Sequence, residues 1–245
     1  MRAQSEPLGS TRWPLGVLAA LAVLTLLAAI VGSAWAFLSP QIAALPSALR
    51  TPVRLLILVA QYAVPLAFAA VWLRLRGSDW RDGLLMRRFT ISEGIGLAIF
   101  AGLTARIFNT VYSACMVLLQ IKLPASIDTT KLFGTDASGM IALIVLAVVV
   151  APVAEEVLFR GVLYTGLRDR WGRGAATVVS AVIFALFHGE PFVFVPIAFL
   201  GVLLALLAEK TRSVWPGVIA HSLFNATAVV VLLVVQLTGG KGVGL

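Results

Sequence analysis

Seven apolar runs follow one another along this chain, at roughly 14–37, 53–73, 94–120, 139–167, 174–188, 192–208 and 215–236. Most approach the ~20 residues that a helix needs to cross a bilayer. Hydrophobic residues make up 60% of the 245 residues and charged ones 12%, against about 25% charged in soluble domains. The expected fold class is an all-α polytopic membrane protein, a bundle of about seven transmembrane helices, with six to eight possible. No internal repeat is visible. The expectation is one transmembrane domain over 1–245, with a short cytoplasmic tail at 1–13. Pro40, Pro46 and Pro52 punctuate the first connection, and Gly189-Glu190-Pro191 reads as a tight turn between the fifth and sixth runs.

The net charge of +8 reads as topology, because Lys and Arg collect in cytoplasmic loops. Counting alternate loops places twelve basic residues on one side and five on the other. That imbalance puts the N-terminus in the cytoplasm of a multi-pass protein, expected in a prokaryotic plasma membrane. No basic patch carries interleaved aromatics, so no nucleic-acid partner is expected; the expected partners are the lipid bilayer and a peptide or protein substrate that reaches it. The single cysteine, Cys115, reads as packing. Ala34-Trp35-Ala36 resembles a signal-peptidase site, but the preceding apolar run is longer than the 7–15 residues of a leader's core, so an uncleaved first helix is expected.

Glu155 and Glu156 lie inside the fourth run, where a carboxylate costs roughly 2.5–3.5 kcal/mol on insertion scales. Intramembrane ionisable residues mark functional sites by default. On a helix Glu156 and Arg160 share a face and can pair. Glu155 lies about 100° round the helix from Glu156, which leaves it the freer carboxylate and the better candidate for a base. The chain has two histidines. His188 follows Phe184 by one turn in the fifth run, and His221 precedes Asn225 by one turn in the seventh. Taken singly, each could be a structural ion pair or an interhelical hydrogen-bonder. At 1.5 Å per residue the depths of Glu155, His188, His221 and Asn225 fall at about 18, 21, 9 and 15 Å from one side, so a shared cavity is possible. Arg106 and Asn109 could line it too or merely snorkel. Asn225-Ala-Thr227 fits a glycosylation sequon, but its place in an apolar span argues against use.

Glu155-Glu156-Val-Leu-Phe-Arg160, Phe184-x-x-x-His188 and His221-x-x-x-Asn225 resemble the three motifs of the CPBP family (CAAX protease and bacteriocin-processing, also called ABI), polytopic intramembrane endopeptidases. The resemblance covers 139–236, which would be the catalytic core. It implies that Glu155 and His188 hold and activate an attacking water, that His221 and Asn225 stabilise the oxyanion or assist binding, and that Glu156, Arg160 and Phe184 support them. A buried carboxylate and imidazole and carboxamide donors suit that chemistry. Cofactor use stays open between none and one divalent metal. If a zinc is used, Glu155, His188 and His221 are its candidate ligands, although the H-E-x-x-H pattern is absent. Two other readings of the same residues are a proton- or ion-coupled transporter, which the lack of repeats disfavours, and a non-catalytic membrane scaffold.

Overall fold

The structure, a computed structural model, describes residues 13–33, 42, 44–121 and 137–237. Residues 1–12 of the expected tail and the Ala34-Trp35-Ala36 site lie outside them. Among the described residues seven long helices carry the fold: α1 (Leu15–Ser33), α2 (Ser47–Leu75), α3 (Ile91–Leu118), α4 (137–171), α5 (173–187), α6 (Phe194–Thr211) and α7 (Trp215–Leu237). Among the described residues, Ile91–Leu118, Gly139–Phe187, Pro191–Thr211 and Trp215–Val234 are long and apolar enough to cross a bilayer. Gly139–Phe187 is broken into α4 and α5 at Gly172, whose φ of 77° and ψ of 170° suit glycine. Shorter apolar stretches, Leu15–Leu27 and Val59–Leu75, lie in α1 and α2. Large apolar side chains such as Leu56, Phe100, Ile107 and Leu186 point outward, as they do where lipid is the solvent.

Helix ends follow local chemistry. α2 begins directly after Pro46 and runs through both Pro52 and Pro65. The sequence reading placed Pro52 in the connection. In a bundle neighbouring groups compensate the lost backbone bond, so proline does not end the helix. α2 closes in a Schellman motif, with Ser78 N–H donating to Leu73 O at 3.0 Å and Gly77 N–H to Arg74 O at 3.1 Å. The loop that follows holds a single helical turn, Trp80–Gly83, capped by Asp79. It then crosses α4 where Gly161 has no side chain: a Cβ there would sit 2.5 Å from Leu84 O. Val214 N–H donates to Leu85 O and Ser213 Oγ–H to Arg87 O, which ties this loop to the α6–α7 connection.

α4 is the element that shapes the site. Two π-helical stretches, Leu146–Val150 and Val157–Tyr164, flank the short α-helical piece Ala151–Glu156 that carries the carboxylates. Such π segments recur at functional sites. Pro152 explains one consequence. In the wider register Ala151 N–H reaches back to Leu146 O; the next residue, Pro152, has no N–H to offer Ala147 O.

α7 lies between α3 and α4, and α6 packs against α3 and α5. Small residues permit the close approach. A Cβ on Gly102 of α3 would stand 2.9 Å from Ala220 O of α7, and one on Gly201 of α6 would stand 3.0 Å from Ala181 of α5. The core around the site joins Ala98, Ala101 and Ala105 of α3 to Phe159, Phe184, Leu200, Leu204 and Phe224.

Candidate active site

Glu155 and Glu156 are 5% and 0% exposed, and Arg160 is 1% exposed. Arg160 donates from one guanidinium nitrogen to Glu156 Oε1 at 2.8 Å and from another to the carbonyl of Gly201 at 3.2 Å. Its guanidinium carbon stands 4.2 Å from the centre of the Phe184 ring, a cation–π contact. One cation therefore binds α4 to both α5 and α6. Glu156 also lies close against α7, since a Cβ on Gly217 would be 2.6 Å from its Oε2.

Glu155 points elsewhere. Its Oε1 accepts a hydrogen bond from the Tyr62 hydroxyl of α2 at 2.7 Å. Its Oε2 is buried and has no hydrogen-bond partner among the described residues. Two imidazole nitrogens face that oxygen: Nε2 of His188 and Nε2 of His221, each at 3.9 Å. That is beyond direct hydrogen bonding and close enough for one small bridging group. His188 ends α5, and its Nδ1 lies 2.8 Å from Phe184 O. A carbonyl only accepts, so Nδ1 carries the proton and a neutral His188 presents the lone pair of Nε2 to Glu155. Phe184 packs edge-on against both imidazoles, with centroids 4.8 and 5.7 Å away. His221 Nδ1 lies 3.4 Å from Glu156 Oε1. That is ion-pair range, but the aim is too poor for a hydrogen bond, and Nδ1 is unsatisfied.

Glu155, Glu156, Arg160, His188, Phe184 and His221 thus form one cluster, buried except at His188, whose side chain is 25% exposed. Asn225 does not join it by hydrogen bond; its side-chain amide donates to Ala147 O at 2.8 Å. That carbonyl is the one Pro152 leaves without a backbone donor. Arg106 meets α7 instead, donating to Phe224 O and standing 4.2 Å from the Phe224 ring centre. Two contributors were missed by sequence reasoning. Tyr62 is one of three tyrosines in the chain, and its place inside an apolar run was the available signal. Gly217 offered none. A second polar group, Arg168 gripping both oxygens of Glu209 at 2.7 and 2.9 Å beside the Tyr164 hydroxyl at 2.9 Å, ties α4 to α6.

Glu155, His188 and His221 have the donor chemistry of a zinc set. Among the described residues, however, no three His, Cys, Asp or Glu side chains are grouped closely enough to hold a metal ion.

Residues 137–227 match the model of a family described as Type II CAAX prenyl endopeptidase Rce1-like. Over 144 residues the chain is 22% identical to "Putative membrane peptidase YdiL" of Bacillus subtilis (strain 168), an alignment covering 58% of this chain and 59% of that protein. The chain therefore spans less than two thirds of that relative's length. No solved structure matches this chain. Through 137–227, the segment that carries Glu155, Glu156, Arg160, His188, His221 and Asn225, this chain resembles the CPBP family of intramembrane endopeptidases.

Proposed function

We propose that this chain is an intramembrane endopeptidase that hydrolyses a peptide bond with a water activated by Glu155 and His188, within a catalytic core spanning 139–236. The observation that carries this reading is the buried, unpartnered Oε2 of Glu155, 3.9 Å from Nε2 of both His188 and His221. A water between Glu155 and His188 donates one hydrogen to Oε2 and one to the Nε2 lone pair. Its own lone pair is then free for the substrate carbonyl. As the oxygen–carbon bond forms, a proton passes to Glu155. As the carbon–nitrogen bond breaks, Glu155 returns that proton to the leaving amine.

His221 faces Glu156 through Nδ1 and Glu155 through Nε2, and a hydrogen on its Nε2 donates to the oxyanion. Asn225 keeps one amide hydrogen beyond its bond to Ala147 and can assist. Glu156, Arg160 and Phe184 hold the frame. This mechanism uses no metal. The substrate is a peptide or protein at the bilayer, with or without a prenyl group, and the N-terminus lies in the cytoplasm of a prokaryotic plasma membrane.

Terminal proteomics of membranes holding the wild type or Glu155→Gln tests the reading. New C-termini found only with the wild type support it and name the substrate; identical C-termini in both would end it.

A further inference from the structure

We propose that Tyr62 is a positioning residue of the reaction, selecting which oxygen of Glu155 acts as the base; this rests on the function proposed above. Tyr62 belongs to α2, outside the 137–227 segment that matches the family. It is 8% exposed, and its hydroxyl donates to Glu155 Oε1 at 2.7 Å across 93 residues of sequence. The two oxygens of Glu155 are therefore unequal. Oε1 is engaged by a phenol; Oε2 has no hydrogen-bond partner among the described residues and faces both imidazoles. A carboxylate on a flexible side chain could turn either oxygen, or neither, toward His188. The phenol removes that freedom: holding Oε1 on the α2 side leaves Oε2 aimed between the histidines. It also partly neutralises an anion in a cluster with one guanidinium for two carboxylates. Productive geometry at a reacting atom is worth large factors in rate.

The test compares Tyr62→Phe, which removes one oxygen and keeps the ring, with the wild type and Glu155→Gln. The substrate is a synthetic peptide spanning the cleavage site found by terminal proteomics. The expected result is a kcat per folded molecule lowered on the order of ten- to a hundredfold, with KM unchanged. A purely structural tie between α2 and α4 would lower the yield of folded protein and leave kcat per folded molecule at the wild-type value. That outcome overturns the inference. A second measurement does not depend on activity: the vibrational difference spectrum, wild type minus Tyr62→Phe, should carry the band of a strongly donating phenol. The band should weaken when Glu155 is Gln in both members of the pair; a band indifferent to residue 155 also overturns the inference. If Glu155→Gln itself cleaves normally, the endopeptidase reading fails and takes this inference with it. If Glu155→Gln is dead while Tyr62→Phe matches the wild type, only this inference fails.

Discussion

Asn225 of α7 fills the backbone vacancy that Pro152 creates in α4, donating its amide to Ala147 O at 2.8 Å. The proline withholds an N–H at the position where the π register would present one, and a side chain from another helix provides the donor. One residue thereby locks α7 to α4 a single turn beyond His221.

The relationship predicts a non-additive pair. Asn225→Ala leaves a half-buried carbonyl unpaired and should cost about 1 kcal/mol. Pro152→Ala restores a backbone donor to α4. In the Asn225→Ala/Pro152→Ala double variant the loss should shrink by a measurable coupling energy. Denaturation in detergent of the four proteins of the cycle gives the answer. Strict additivity would mean that Pro152 and Asn225 do not share Ala147.

Arg160 is the cluster's single guanidinium, donating to both Glu156 and Gly201 O. Arg160→Met strands a buried carboxylate and should destabilise by about 3–5 kcal/mol. Arg160→Lys keeps the charge but not the fork, so it should recover little of that loss. Thermal unfolding of both variants is the measurement; a lysine variant as stable as the wild type would show that charge alone suffices.

Gly217→Ala should be damaging although alanine favours helices. The added carbon would lie 2.6 Å from Glu156 Oε2, and that carboxylate is pinned by Arg160 and fully buried. Gly96→Ala on α3 meets nothing within 4 Å and serves as the control, neutral or slightly stabilising. Equal unfolding temperatures for the two variants would mean that Glu156 has room to move.

The proposed chemistry works without a metal. Protein stripped by chelation and checked by elemental analysis should keep its peptide cleavage. Loss of activity on chelation, reversed by added zinc, would instead give Glu155, His188 and His221 the ligand role.

Much of this architecture is legible in the sequence. The apolar runs define the helices because only a satisfied backbone is tolerated in lipid, and the Glu156–Arg160 pairing follows from their spacing of four. Carboxylates and imidazoles stand out in the sequence because, within those runs, the only other charged side chains are Arg54, Arg106 and Arg160. Three features are not legible. The Tyr62–Glu155 bond joins helices 93 residues apart, and no periodicity in α2 announces which face meets α4. The resemblance implies an oxyanion or binding role for Asn225, and nothing in the sequence announces that the π register of α4 offers it Ala147 O. Gly217 matters through one oxygen of Glu156, a contact that only the packing of α7 defines.

The most direct test follows the water itself. Membranes containing the wild type, supplied with the peptide substrate in heavy-oxygen water, should release a new C-terminal carboxylate carrying one heavy oxygen. Folded Glu155→Gln and His188→Ala variants should release none. Labelled C-termini appearing at the wild-type rate in either variant would contradict a water held between Glu155 and His188.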